Sequence, residues 1–191
     1  MSYFSNILDF QFHSPQKNLA GKTPRKNPEG EFAEEFTKAY CERFLKIHSG
    51  TSKKHTLFMR EVPISGNGIA DLLVFSWSHN LATQETTNPD LEELSPTVRA
   101  FEFKMSDWRK GMMQAHRYKY FSHASILVLP TSKLKSAESQ IDTFKKLRIG
   151  LWGFTPNTGN ISCIFTPRPK QQQIPKYGNK AIQLATQAMR L

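Results

Sequence analysis

Few residue sets in this chain have a spacing that could do chemistry, and one stands apart. The run "FEFK" places Glu102 and Lys104 two residues apart. In a β-strand that spacing sends both side chains to one face. Earlier, Asp71 follows the turn-like run "SGNG" and "IA", and leads into the apolar stretch "LLVFSW". An unpaired carboxylate is costly to bury there, so it is either compensated locally or used. If the two strands are neighbours, two carboxylates and a lysine converge at one end of a sheet. Two acidic oxygen ligands on a rigid sheet suit Mg²⁺, a hard cation that keeps several waters. A lysine beside such a metal can position a water, lower its pKa, or stabilise charge developing on a phosphate. The plain alternative is a salt bridge between Lys104 and either acid, because E-x-K is a common tripeptide.

A helix is expected directly after "FEFK", and on it Gln114 and Tyr118 share one face. Gln114 could bridge a metal-bound water or a phosphate, or be an ordinary helix glutamine. Arg109, Lys110 and Arg117 could hold phosphates, or form a solvated face. Trp108 and Tyr118 read as packing residues before base-stacking ones, and Tyr118 is kept with the three cations as a nucleic-acid contact. The histidines His48, His55, His116 and His123 make no convincing zinc set. No phosphate-binding G-x-x-x-x-G-K-[ST] loop and no G-x-S-x-G nucleophile turn is present.

These residues need elements to position them. "PEGEFAEEFTKAYCERFLKIH" puts Phe32, Phe36, Ala39, Tyr40, Phe44 and Ile47 on one helical face. Pro28 suits its start and "HSG" its end. Strands are expected near 56–64 and over "IADLLVFSW", joined as a hairpin by "SGNG". Residues 78–97 are polar and locally acidic, an inserted loop. A third strand covers 98–105, with Arg99, Phe101 and Phe103 on one face and Val98, Ala100, Glu102 and Lys104 on the other. The helix over 106–124 takes Ser106 as N-cap. "SILVLP" fits a strand buried on both faces. A helix over 133–147 and strands over "IGLWGFT" and "ISCIFTP" follow. Helical crossovers imply parallel pairing after strand three. The whole is a mixed four- to six-stranded sheet flanked by helices, of α/β or α+β class. Residues 1–28 form a basic arm, 29–166 the domain, and 167–191 a basic tail ending in a short helix.

Composition narrows the partners. The chain has 191 residues, with 26 Lys+Arg against 16 Asp+Glu. An isoelectric point near 9.7 suggests a polyanionic partner, nucleic acid first; an inert basic surface is the other reading. Cys41 and Cys163 are far apart, so a reduced, cytoplasmic protein without an iron–sulfur cluster is expected. No secretory leader stands out in residues 1–20, and no apolar stretch approaches the roughly 20 residues that span a membrane.

Taken together, Asp71, the E-x-K of Glu102 and Lys104, and the helix carrying "QAHRY" resemble the PD-(D/E)xK nuclease superfamily, with its restriction-endonuclease-like core. The resemblance covers roughly residues 29–130. Ala70 stands where the family pattern has proline, which removes no ligand. Q-x-x-x-Y at Gln114 and Tyr118 is similar to the motif of recombination-type exonuclease domains. Some of those carry a four-cysteine iron–sulfur cluster, which two cysteines cannot build. The resemblance implies Mg²⁺, with Mn²⁺ able to substitute, held by Asp71, Glu102 and the Phe103 carbonyl. It makes Lys104 the residue that orients or activates the attacking water. It also implies a glutamate from the first helix. At about 100° per residue, Glu29 shares the direction of Phe32 and Phe36, while Glu35 sits off the stripe near Ala39. Glu29 is the first choice and Glu35 the second; either could remain a surface acid favoured by the helix dipole. The implied activity is hydrolysis of DNA phosphodiesters, with an endonuclease favoured, in repair, restriction, mobile-element or phage-related processing. The alternatives are a non-catalytic nucleic-acid-binding module of the same fold, or an RNA-directed nuclease. Many members dimerise to cut both strands, so a homodimer is among the options, although no interface signal stands out.

Overall fold

The computed structural model describes residues 27–48, 54–64, 66–78 and 95–189. The basic arm up to residue 26 and residues 79–94 of the expected loop lie outside the described residues. Helix α1 (Pro28–His48) is capped by Asn27, whose Oδ1 accepts the Gly30 N–H at 3.2 Å. Glu29 and Glu31 sit in its first turn, where the helix dipole favours acids. Strands β1 (Lys54–Ile64) and β2 (Gly68–Ser78) form the expected hairpin. Its turn needs glycine: Gly66 and Gly68 have φ of 82° and 88°, and Asn67 N–H closes onto the Ile64 carbonyl at 2.8 Å. There follow β3 (Thr97–Phe103), α2 (Trp108–Tyr118), β4 (Ala124–Pro130), α3 (Leu134–Glu138), α4 (Ile141–Leu147), β5 (Ile149–Thr155), β6 (Asn160–Phe165) and α5 (Pro175–Met189).

The six strands lie side by side in chain order. β1–β2, β2–β3 and β5–β6 are antiparallel, while β3–β4 and β4–β5 are parallel. Parallel pairs fall where a helix intervenes, as the crossover geometry demands. The class is therefore α+β, with a mixed open sheet flanked by helices.

Each face of the sheet has its own cover. Phe32, Phe36 and Tyr40 of α1 pack on Leu72, Val74, Phe101 and Phe103. The Phe36 ring meets Phe103 edge-on at 5.2 Å. Burying such a ring is worth about 2–3 kcal/mol. The side chains of Phe44 and Ile47, also expected on this face, lie outside the described residues. On the opposite face Val98 and Ala100 of β3 pack with Leu73, Phe75 and α5, so the expected alternation of β3 holds. β4 is buried from Ala124 to Leu129.

Three boundaries differ from the sequence reading. The N-cap of α2 is Asp107, whose Oδ1 accepts the Lys110 N–H at 3.1 Å; Ser106 lies one residue outside. The helix expected over 133–147 breaks into α3 and α4 at Ser139 and Gln140. There the Ser139 hydroxyl donates to the Ser136 carbonyl and competes with helical bonding. The basic tail packs into the fold: Ala181, Ile182 and Ala185 of α5 join the core against the β1–β2 hairpin. Among the described residues no helix is long and apolar enough to cross a membrane.

Candidate active site

Asp71 is freed from the sheet on both sides. The β1–β2 pairing runs Arg60–Leu72 and then Val62–Ala70, skipping the position between. There Glu61 has a φ of 51°, which breaks the pleat. The β2–β3 pairing stops at Leu72–Phe101. The Phe103 N–H is instead taken by the Asp71 carboxylate, with Oδ2 accepting at 2.8 Å. The aspartate thus replaces a ladder partner at the point where two strands part. Burial, followed by the charge of Glu102, pushes the Asp71 carboxyl up to about 7.

Glu102 follows Phe101 on β3 and is fully buried. Its Oε1 lies 2.9 Å from the Lys104 ammonium, without a well-directed hydrogen bond. Its Oε2 meets the Tyr118 hydroxyl, which also lies 2.7 Å from the Ile69 carbonyl. One phenolic proton is shared between these two acceptors. Burial and then the charges of Glu102 and Asp71 raise the Tyr118 pKa, so the hydroxyl stays a donor.

Lys104 holds the cluster together. Its ammonium donates to the Phe103 carbonyl at 2.9 Å and reaches Glu29 Oε2 at 3.3 Å. Burial pulls the ammonium down, but Glu102, then Glu29 and Asp71, outweigh it and hold it above its ordinary value. Glu29 arrives from the first turn of α1, across the end of the sheet, and its Oε1 also accepts the Met105 N–H at 3.3 Å. This pair is looser, because the Glu29 side chain is 44% exposed. Arg60 on β1 steadies that end of α1 by donating to the Gly30 carbonyl at 3.2 Å.

Helix α2 covers the cluster closely. A Cβ on Gly111 would lie 2.7 Å from Lys104 Cγ and 2.6 Å from Leu127 Cδ1. Glycine is what lets the helix rest on the lysine stem. One turn on, Gln114 carries a buried Oε1 without a partner, and a further turn brings Tyr118.

The expected residues therefore divide. Asp71, Glu102, Lys104 and Glu29 come together at the end of β2 and β3. The Phe103 carbonyl faces the ammonium. Glu35 is exposed on α1 and bonds to none of these groups, so Glu29 is the glutamate that the fold delivers. Arg109, Lys110 and Arg117 are exposed on α2, with Arg109 lying 4.4 Å over the Trp108 ring. Tyr118 is a correction: at 1% exposure it cannot reach a nucleic acid, and it serves Glu102 instead. The i, i+4 spacing from Gln114 places Tyr118 on that face of α2 but does not say which partner it meets.

A hard divalent cation takes oxygen ligands, and oxygens are what this cluster offers. Two carboxylates, one raised by burial and by its neighbour's charge, and a backbone carbonyl are all oxygen ligands. Among the described residues no three His, Cys, Asp or Glu side chains group to hold a metal. A cation here would have two protein carboxylates and keep several waters, which suits Mg²⁺ better than zinc. In this structure the Lys104 ammonium is the cation beside Glu102 and Glu29. Compared with known protein families, curated proteins and solved structures, the chain matches none.

Proposed function

We propose that the protein is a metal-dependent nuclease of the PD-(D/E)xK type that hydrolyses DNA phosphodiester bonds. The observation that carries this reading is Asp71 and Glu102 meeting at one sheet end with the Lys104 ammonium between Glu102, Glu29 and the Phe103 carbonyl. Asp71, Glu102 and the Phe103 carbonyl would hold Mg²⁺, or Mn²⁺ in its place. Bound there, the metal would supply a nucleophilic water at neutral pH and Lewis-acid stabilisation of the phosphate. Lys104 would hold and orient the attacking water or stabilise charge on the phosphate. Glu29 would keep the ammonium in place, and Tyr118 would fix the Glu102 carboxylate. The unpartnered Gln114 carbonyl oxygen would accept from a water of the site. Arg109, Lys110 and Arg117, with the chain's excess of cations, would hold the DNA backbone with salt-dependent affinity. A homodimer and a cytoplasmic setting belong to this reading as further proposals.

The test incubates the protein with supercoiled, linear and branched DNA in Mg²⁺, in Mn²⁺ and in EDTA. Metal-dependent cleavage that disappears in Lys104→Ala supports the nuclease. Binding without cleavage of any substrate points instead to a nucleic-acid-binding module on the same fold, and cleavage of RNA alone to an RNA-directed enzyme.

A further inference from the structure

The other end of the sheet carries a second feature, of opposite charge. A cavity of about 180 Å³ opens where β4 and β5 begin. Among the described residues four cations line it, Lys119, Arg148, Arg168 and Lys170, and no aspartate or glutamate does. His123 is also in the wall, but burial lowers its pKa and its Nδ1 accepts the Val98 N–H, so it adds no charge near neutrality.

The walls are built rather than incidental. The segment after β6 crosses the start of β4 and is fixed by backbone bonds. Lys170 N–H donates to the His123 carbonyl at 2.9 Å and Gln173 N–H to the Lys119 carbonyl at 3.1 Å. Its Pro167 lies so close to the sheet that a Cβ on Gly150 would come within 3.2 Å of the ring. Arg148 ends α4 in the left-handed region, with φ 55° and ψ 45°, and its guanidinium donates to the Arg168 carbonyl at 2.7 Å. Lys119 reaches the Leu147 carbonyl at 2.8 Å. An arginine in that backbone conformation is strained. Burial, then the charge of Arg148, lowers the Lys119 ammonium, so the cations repel without a counter-ion among the lining residues. An anion would relieve that repulsion. Liquid water would fill the cavity with about six molecules, which is room for one phosphate group and some hydration.

We propose that this cavity is a phosphate-binding pocket and that its ligand is a backbone phosphate of a nucleic acid duplex. Position favours a backbone over a small phosphate ester. β3 and β4 are parallel, with Phe103 level with Val128. The pocket at Ala124 is therefore four residues, about 13 Å, from the acid end of the sheet. That is about four base-pair steps of duplex rise. The exposed Arg117 lies on α2 between the two ends. The phosphate chemistry of the pocket is independent of the acid cluster, whereas the choice of a duplex backbone rests on the proposed function through that spacing.

The test is run in EDTA, so that no cleavage is required. Inorganic phosphate is added at fixed ionic strength against chloride, and thermal unfolding is followed. Binding of a random-sequence 20-base-pair duplex is measured across salt concentrations. The variant is Arg148→Asn, because asparagine tolerates the left-handed backbone; Lys170→Gln, at an exposed position, is the second variant should the first fail to fold. Phosphate should raise the wild-type melting temperature more than chloride does, and the variant should lose that difference. The variant should also lower the slope of log K against log salt by about 0.9, the equivalent of one phosphate. An unchanged slope with phosphate binding lost would assign the pocket to a small phosphorylated ligand and overturn the nucleic-acid claim. No phosphate-specific stabilisation of the wild type would overturn the pocket itself.

Discussion

The two ends of the sheet are charged in opposite senses. At the end of β2 and β3, Glu102 and Glu29 flank one ammonium, that of Lys104, and Asp71 lies within its electrostatic reach. Where β4 and β5 begin, Lys119, Arg148, Arg168 and Lys170 line a cavity with no carboxylate in its wall among the described residues. The buried Glu102 Oε1 lacks a well-directed hydrogen bond, and Lys119 and Arg148 donate to backbone carbonyls. Like charges held together oppose folding unless something of opposite sign completes them. The comparison teaches that stability was not what placed these side chains. Under the proposed function one end would take a cation and the other an anion, and a DNA phosphate with a divalent metal would supply both.

Variants at the acid end should give the largest effects. Lys104→Met keeps the stem under Gly111 but removes the ammonium. Metal-dependent plasmid cleavage should fall at least about a hundredfold, while duplex binding in EDTA stays near wild type. A variant that loses binding and cleavage together would reduce the contrast between the ends.

Asp71 gives the next effect, through pH. Its folded pKa, about 7, lies above the ordinary 3.8. Between about pH 4 and 7 Asp71 therefore binds more proton in the folded protein than in the unfolded chain, opposite in sense to the lowered His116 and His123. The Asp71 contribution to metal-free stability should fall as pH rises through that window and level off above it. Asp71→Asn should remove this slope, as read by urea unfolding in EDTA at pH 5, 6, 7 and 8. A slope that survives the substitution would assign it to another group.

Tyr118→Phe should cost about 1–3 kcal/mol of metal-free stability, because Glu102 Oε2 loses its donor while fully buried. The smallest effect belongs to the basic end. Arg148→Gly relieves the left-handed strain and one cation, and should leave the protein equally stable or up to about 1 kcal/mol more so. Chemical denaturation of the two variants side by side tests the contrast: a loss at one end and none at the other.

Much of the acid end was legible in the sequence because it depends on period two. "FEFK" sends Glu102 and Lys104 to one face whatever else the chain does, and an aspartate leading into "LLVFSW" needs an explanation in any fold. The choice of Glu29 over Glu35 followed from the helical stripe, since the first turn of α1 overhangs the sheet end. What escaped were features set by close approach. Tyr118 lies on the expected face of α2, but whether it meets DNA or Glu102 depends on how near the helix sits. Gly111 sets that distance and leaves no periodic trace. The basic pocket was less legible still. Lys119, Arg148, Arg168 and Lys170 come from three separate stretches, and the Pro/Gln-rich lead-in to α5 read as a tail. Its backbone bonds to His123, Lys119 and Tyr120 are long-range and have no local signature.

The central claim is that Asp71 and Glu102 form a site for one divalent cation. Mn²⁺ titration of the metal-free protein, with free ion counted by electron paramagnetic resonance, addresses it without any substrate. The account predicts one Mn²⁺ bound per chain at the site, displaced by Mg²⁺ and absent in Asp71→Asn. Undiminished Mn²⁺ binding in Asp71→Asn, or none in the wild type, would contradict it.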